Sequence, residues 1–329
     1  MNNRRKLVIA LGASAFTAPL CSFAQPQAAR TFRLGVLFAG TLASSENYFR
    51  AFFESLASLG YVEGKNLLVE RRFADGRIDR LDVLAAELVA AKVDIIYAPP
   101  TPAVLAAMKA STNIPIVFSA PPDPIGNGLV QSLARPGGNA TGLSTLGSGL
   151  VPKRIELIRE LVPKAQCIGL LYDSREPSAR INRESASETA KLLGLTIVEK
   201  NVNLRDQLPA AFAAFKEKRT DMLLVFEGSL ALTNRDMVLS LASANRLPAL
   251  YVYPEFPAEG GLMSYSTNMV EQYRRAAVFV DKIIKGAKPS DLPVEQPTKF
   301  ELVINLKTAK TLGIRIPQSI LLRADKVIE

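Results

Sequence analysis

The sequence predicts an α/β fold of two lobes, each a doubly wound parallel sheet, with a cleft between them. Short apolar runs that suit buried strands alternate with segments whose apolar residues recur at helical spacing. A turn cluster at residues 135–139 interrupts this alternation, which then starts again. The chain has 329 residues, of which 48% are hydrophobic, so it is long enough to bury two cores.

Four strands and three helices are predicted before the turn cluster. The strands cover residues 34–38, 67–70, 94–97 and 114–118. The helices cover residues 48–59, 80–91 and 103–110. Apolar strands separated by helices favour a parallel sheet that is covered on both faces. Residues 140–144, which follow the turn cluster, are predicted to form the break between the lobes.

The same alternation predicts a second lobe of similar plan. Its strands cover residues 168–172, 196–200, 222–226 and 249–253. Its helices cover residues 153–161, 182–193, 208–218 and 234–244. A long amphipathic helix at 270–285 and a strand at 302–305 complete the predicted elements. The two halves therefore share an architecture without being a sequence repeat.

The carboxyl ends of the strands are where a ligand is expected, because open parallel sheets bind ligands there. Polar residues at these ends are the candidate ligand contacts. In the first lobe they are Thr41, Thr101, Ser119 and Asp123. In the second lobe they are Tyr172, Ser174, Glu227 and Tyr265. Two of them have alternatives that stay open: Asp123 also suits a turn, and Glu227 also suits a helix cap or the surface. If the ligand is an amino acid, either carboxylate would hold its ammonium group.

Several kinds of chemistry are absent from the sequence. There is no histidine, which removes Ser-His-Asp and Cys-His catalysis, and no G-x-G-x-x-G, Walker A or G-x-S-x-G motif occurs. The protein is therefore predicted not to be an enzyme, with no cofactor and no metal.

The formal charge of +9 is spread along the chain without a basic block, so no nucleic-acid partner is expected. Cys167 precedes an apolar run and is expected to be a core residue.

The N-terminus predicts export. Residues 2–6 are basic, residues 7–20 are apolar, and Ser22 and Ala24 precede a cleavage site before Gln25. This order is that of a secretory signal peptide, here residues 1–24, and it places the mature protein in the periplasm. Leu20 stands before Cys21, where a lipoprotein signal needs a small residue, so a lipid anchor is not expected. Arg4 and Arg5 leave the choice between Sec and twin-arginine export open.

Long phrases of this sequence, taken in order, resemble the ABC transporter substrate-binding proteins of the tryptophan/tyrosine-binding-like group. The matching phrases are at residues 59–66, 128–142, 260–265, 291–297 and 300–309. They span nearly the whole predicted mature chain. Two positions depart from the group: Ser266 replaces a usual glycine, and Pro100 replaces the glycine of a usual Gly-Thr-Pro. Both lie near the expected cleft, so the identity of the ligand stays open.

The resemblance implies a type I periplasmic-binding-protein fold with three crossovers between discontinuous lobes. The N-terminal lobe would comprise residues 31–146 with 267–297, and the C-terminal lobe residues 147–266 with 298–329. The resemblance also implies capture of a small molecule, with aromatic amino acids among the ligands of the group, and delivery to an ABC permease and its ATPase. A monomer is expected. The alternative function is a ligand sensor of the same fold that signals to a membrane receptor.

Overall fold

The structure is a computed structural model that describes residues 31–329. The predicted signal peptide of residues 1–24, its cleavage site and Cys21 lie outside the described residues. Within residues 31–329, none of the helices has both the length and the apolar character that crossing a bilayer requires.

The first sheet consists of five parallel strands. They are β1 Phe32–Phe38, β2 Leu67–Phe73, β3 Ile95–Tyr97, β4 Ile116–Phe118 and β5 Ala140–Gly142. Their order across the sheet is β2-β1-β3-β4-β5. In the central pair, Leu34 lies opposite Ile95 and Val36 lies opposite Tyr97, and all four are buried. These short apolar strands need cover on both faces, as predicted.

Three helices alternate along the chain with the strands of the first sheet. They are α1 Glu46–Ser58, α2 Leu81–Ala90 and α3 Thr101–Ala110. Helix α1 contributes Phe49 and Phe52 to the core on one face of the sheet. Helices α2 and α3 pack on the other face, where Leu88 and Val104 are buried. The sheet is therefore wound on both sides.

The second sheet contains seven strands. They are β6 Cys167–Tyr172, β7 Thr196–Asn201, β8 Met222–Val225, β9 Ala249–Tyr251, β10 Met263–Thr267, β11 Phe300–Asn305 and β12 Lys326–Ile328. Their order is β12-β11-β10-β9-β8-β6-β7. All neighbours are parallel except β10 and β11, which run antiparallel. Cys167, expected in the core, begins β6 and is only partly buried.

The remaining helices cover the second sheet, with one exception. They are α4 Val151–Leu161, α5 Ala179–Leu192, α6 Leu208–Glu217, α7 Ser229–Thr233, α8 Arg235–Ala244, α9 Glu255–Ala258, α10 Met269–Ile284, α11 Leu306–Leu312 and α12 Gln318–Leu321. The exception is α10, which returns to the first sheet. It packs there beside α1, burying Tyr273, Phe279 and Val280 in the same core as Phe49 and Phe52.

The chain passes between the two sheets three times: after β5, after β10 and before β11. The three connecting segments are bonded to one another. Ser144 N–H donates to the Glu295 carbonyl at 2.9 Å, and the Thr267 hydroxyl donates to the Thr145 carbonyl at 2.8 Å. Adjacent connections of this kind can act as a hinge between lobes. The boundaries of the discontinuous lobes stay predictions.

Three strands were not predicted: β5, β10 and β12, the last of which has three residues and is mostly exposed. Strand β5 lies where only a break between lobes was expected, and it has just three residues. Its Gly142 has φ of 147°, and a Cβ there would lie 1.9 Å from the Phe118 carbonyl oxygen, so only glycine fits. Strand β10 was not predicted because it is a buried strand with polar residues. Ser264 and Ser266 are buried in it, so it gives no apolar run.

Candidate functional site

The carboxyl ends of the two sheets face each other across two small adjoining pockets. Each has a volume of about 40 Å³, and both are lined by Ala120, Glu227 and Tyr253. The first lobe adds Pro100 and Thr101 to one of them. We refer to the two pockets together as the cleft. Because both lobes line it, a ligand in the cleft would contact both.

Thr101 is the most favourably placed predicted residue of the first lobe. It is the first residue of α3, whose N-cap is the extended Pro100 and whose second residue is Pro102. The prolines suit this position because the first turn of a helix needs no N–H partner from them. The Thr101 side chain is only 3% exposed, and its hydroxyl has no hydrogen-bond partner among residues 31–329. A hydroxyl at a helix N-terminus is suited to an anionic group.

Glu227 is its counterpart in the second lobe. It comes two residues after β8 and lines both pockets of the cleft. Its Oε1 accepts a hydrogen bond from Asn182 Nδ2 at 2.8 Å. Its Oε2 is buried and accepts no hydrogen bond within the described chain, and the same is true of Asn182 Oδ1. Two buried acceptor atoms without donors favour a ligand group that donates hydrogen bonds.

Arg154 lines a pocket together with Glu227 and was not predicted. It is on α4, is 2% exposed and lines one pocket of the cleft. Its Nε donates to the Tyr265 carbonyl at 3.0 Å and its Nη1 to the Gly147 carbonyl at 3.1 Å. The Nη1 atom is also 3.8 Å from Glu227 Oε2. Burial lowers the pKa of Arg154 and the facing Glu227 opposes that shift, but an arginine keeps its charge in proteins.

A signal for Arg154 exists in the sequence. Val151, Ile155 and Ile158 form the buried face of α4, and helical spacing puts Arg154 on that face. An arginine on an apolar face needs buried partners, so the position could have been singled out. The sequence does not say what those partners are.

Glu176 adds a second buried carboxyl group to the cleft. It lines the pocket that also contains Thr101, and its Oε1 accepts a hydrogen bond from Ser229 N–H at 2.9 Å. Burial raises the pKa of Glu176 to about 7, and the neighbouring Asp173 and Glu227 carboxylates act in the same direction. At neutral pH this group is therefore poised between its charged and neutral forms.

The other predicted residues of the first lobe make local bonds. Ser119 is fully buried, and its hydroxyl shares a 2.7 Å hydrogen bond with the Tyr97 hydroxyl. Thr41 Oγ1 accepts from Ser44 N–H at 3.1 Å. Asp123 Oδ1 accepts a hydrogen bond from Gly126 N–H at 2.9 Å. This bond closes a turn, which is the alternative that the sequence left open for Asp123. None of the three is among the residues that line the cleft.

The remaining predicted residues of the second lobe do not line either of these two pockets. The Arg183 guanidinium lies over the Tyr172 ring, 4.7 Å from its centroid. Ser174 is exposed, and its hydroxyl accepts from Asn203 Nδ2 at 3.3 Å. The Tyr265 ring packs near Phe300, and only its carbonyl is engaged by Arg154. The structure thus brings Thr101 and Glu227 together in one pocket and places the other six candidates outside it.

Two larger pockets lie away from the facing strand ends. One, of about 330 Å³, is on the second lobe beside α8 and α11. The other, of about 360 Å³, lies along the connecting segments and α10. Neither contains Thr101, Glu227 or any other predicted contact. We therefore place the candidate site in the cleft, where polar atoms of both lobes converge. No group of three or more Asp, Glu, His or Cys residues within 31–329 could hold a metal ion.

Comparison with known proteins gives consistent matches. Residues 43–328 match a family model described as ABC transporter substrate binding protein. A tyrosine-binding protein of Clostridioides difficile (strain R20291) is 29% identical over 266 residues, which is 81% of this chain and 76% of that protein.

Solved structures agree on the fold. The ABC domain in complex with L-Trp from Streptococcus pneumonia is 28% identical, with a TM-score of 0.84. A conserved domain protein from Vibrio cholerae is also 28% identical, with a TM-score of 0.85. Each match covers 91% of this chain and all of the other. The predicted fold class, two α/β lobes of the type I periplasmic-binding-protein kind, is confirmed.

Proposed function

The chain belongs to the ABC transporter substrate-binding protein family, and on that premise we propose that it captures an α-amino acid outside the cytoplasm and delivers it to a membrane permease. One observation carries the choice of ligand class. The cleft offers an unpartnered hydroxyl at a helix N-terminus on one side and, among the described residues, unpartnered acceptor atoms on the other. A zwitterion has the complementary pair of charges.

The carboxylate of the ligand would bind to the first lobe. Thr101 supplies a hydroxyl donor, and α3 has ten residues, so its N-terminus carries the positive end of a full helix dipole. No lysine or arginine of the first lobe lines the cleft in the part of the chain that is described. A hydroxyl and a helix end suffice for a carboxylate, as at other helix N-termini that bind anions.

The ammonium group of the ligand would bind to the second lobe. Glu227 Oε2 and Asn182 Oδ1 are both acceptors, and both are buried without a donor from residues 31–329. Thr101, Asn182 and Glu227 line the same pocket of about 40 Å³. The two charged groups of the ligand must therefore be close together. An α-amino acid meets this condition, whereas a long ω-amino acid does not.

Aromatic amino acids are the first candidates within this class. The relatives support the choice, since one is named a tyrosine-binding protein and another was solved with L-Trp. The two pockets, of about 40 Å³ each, are too small for an aromatic side chain, so the lobes would have to separate before the ring of a ligand could pack against Tyr253, which lines both. Ser266, at one of the two positions that depart from the group, lines one of the pockets.

Capture would work by lobe closure and not by chemistry. A ligand that contacts both lobes stabilises the closed arrangement, because only there are all of its contacts made. The three connecting segments would act as the hinge, with lobes of residues 31–146 with 267–297 and 147–266 with 298–329. The closed form is then the shape that a permease can distinguish. Export by the signal peptide of residues 1–24 would bring the protein to that permease.

The test is calorimetric titration of the mature protein, starting at Gln25, with L-amino acids. We expect one site per chain, filled by L-tyrosine or L-tryptophan. Tyramine lacks the carboxylate and tyrosine methyl ester masks its charge, so both should bind much more weakly than L-tyrosine. If no L-amino acid binds, or if the amine binds as well as the amino acid, the proposed ligand class is wrong.

A further inference from the structure

We propose that Arg154 is a positioning residue that holds the Glu227 carboxylate in the cleft and ties it to two of the three connecting segments. The part of this inference that concerns the ligand rests on the proposed function above. The pairing of the two side chains does not, and it can be tested without a ligand.

The contacts of Arg154 reach three separate parts of the chain. Gly147 follows the first connecting segment, and Tyr265 lies in β10, just before the second. The guanidinium donates to the carbonyls of both. The same Nη1 atom that binds Gly147 lies 3.8 Å from Glu227 Oε2, at the end of β8. A planar guanidinium has donors fixed in a fork, so the two carbonyls are held in one geometry, and the Glu227 carboxylate faces the same cation without a hydrogen bond from it.

The charge of Arg154 matches a need of Glu227. Glu227 is 17% exposed at its side chain and receives one neutral hydrogen bond, from Asn182. The neighbouring Glu176 is a second carboxyl group on this side of the cleft. Asp173 already has a cation of its own, because it is paired with Arg175 at 2.6 Å. Arg154 is therefore the cation nearest to Glu227 among the ion pairs of the described residues. A carboxylate buried without a countercharge would be costly.

The separation of 3.8 Å between Arg154 Nη1 and Glu227 Oε2 is that of an ion pair without a hydrogen bond. It is close enough for Coulombic attraction, yet Oε2 accepts no hydrogen bond from Arg154. Arg154 thus supplies a countercharge to Glu227 and leaves Oε2 without a hydrogen-bond donor among the described residues. Because the same guanidinium holds Gly147 and Tyr265, the position of Glu227 is fixed relative to the hinge. Arg154 lines one pocket of the cleft, and its proposed effect on the ligand is through Glu227.

The ligand-free test is a double-mutant cycle on stability. The variants are Arg154→Met, Glu227→Gln and both together, compared by denaturant unfolding. We expect the destabilisation caused by Arg154→Met to be smaller, by roughly tenfold in the unfolding equilibrium constant, when Glu227→Gln is already present, because the orphaned carboxylate is then absent. Arg159→Met is the matched control. Arg159 is on the same helix and donates to the Ala165 carbonyl, so its effect should be the same with and without Glu227→Gln. Additive effects of Arg154→Met and Glu227→Gln would overturn the proposal.

The ligand test uses the unaltered protein and the same three variants with L-tyrosine. We expect Arg154→Met to weaken L-tyrosine binding by about tenfold when Glu227 is intact and to have almost no effect when it is combined with Glu227→Gln. Arg154→Lys keeps the charge but not the fork, so its affinity should fall between those of Arg154→Met and the unaltered protein. An equal loss of affinity with and without Glu227→Gln would mean that Arg154 does not act through Glu227 and would overturn the proposal.

Failure of the proposed function and failure of the proposed role of Arg154 can be told apart. If the unaltered protein binds no amino acid, the proposed function fails, and the stability cycle alone decides whether Arg154 positions Glu227. If Arg154→Met does not fold, Arg154→Gln, which also removes the charge but keeps an amide donor, replaces it in both cycles. The glutamine variant should then show coupling to Glu227→Gln in the same direction, and its absence would overturn the proposal.

Discussion

The two walls of the cleft differ in how they carry charge. The first-lobe wall has the Thr101 hydroxyl and a helix end among prolines and Ala120, with no ionised side chain in the described lining. The second-lobe wall has Glu176, Glu227 and Arg154. A backbone dipole cannot be titrated, whereas buried carboxyl groups respond to pH and to countercharges. Changes to the second wall should therefore have larger effects, and effects that depend on pH.

The largest expected effect is on stability and involves Glu176. Its pKa is raised to about 7 by burial, above its ordinary value of 4.5. The folded state therefore binds this proton more tightly than the unfolded state does. The contribution of protonated Glu176 to the free energy of unfolding is fully present below pH 4.5 and is lost as the pH rises through about 7. Glu176→Gln should remove that loss, which is on the order of 3 kcal/mol at pH 8.

The measurement is urea unfolding of Glu176→Gln and of the unaltered protein between pH 4.5 and pH 8. The two stabilities should be similar at the acid end and diverge toward pH 8, with the variant more stable. Glu184→Gln is a suitable control, because Glu184 is exposed and paired only with Arg180 among the described residues. If the unfolding free energies of Glu176→Gln and the unaltered protein changed in parallel with pH, the burial of Glu176 would not govern the pH dependence of stability.

The next largest effect concerns Glu227 and ligand affinity. Glu227→Gln keeps the shape of the side chain and removes the charge that would meet the ligand ammonium. We expect a loss of roughly 1.5–3 kcal/mol in binding free energy for L-tyrosine. Calorimetric titration measures it, with Glu259→Gln as the control, since Glu259 pairs with Arg235 outside the cleft. A loss of the same size in the control would assign the effect to overall charge.

A smaller effect is expected from the first wall. Thr101→Val removes the hydroxyl but keeps a β-branched side chain of similar volume. The loss of one hydrogen bond should weaken L-tyrosine binding by about 0.5–1.5 kcal/mol. The stability of the ligand-free protein should not fall, because the hydroxyl has no hydrogen-bond partner among the described residues. Lower stability with unchanged affinity would make Thr101 a structural residue and remove the first wall from recognition.

The smallest effect is expected from a candidate that the structure places outside the cleft. Ser174 is exposed, and its hydroxyl accepts one long hydrogen bond from Asn203. Ser174→Ala should leave both L-tyrosine affinity and stability unchanged within error. A clear loss of affinity would mean that the ligand extends along the second lobe beyond the two pockets. It would then restore Ser174 as a contact.

The candidate site could be predicted only in part. Thr101 and Glu227 were found because a residue at the carboxyl end of a parallel strand must lie at the edge of the sheet that faces the cleft. The same rule also selected Ser119 and Tyr172, whose side chains are used in packing. Asn182 and Arg154 were missed because they lie inside α5 and α4, away from the strand ends that the rule selects. Nothing in a helical pattern tells which distant carboxylate a side chain will meet.

The sequence by itself determined the two-lobe α/β plan and the strand ends that form the cleft. It did so because the alternation of strands and helices is a local pattern, readable over ten to twenty residues. Only the tertiary structure decided the antiparallel pairing of β10 with β11 and the meeting of Arg154 with Glu227. These depend on contacts between residues that are tens of positions apart, and burial at such contacts also sets the pKa of Glu176.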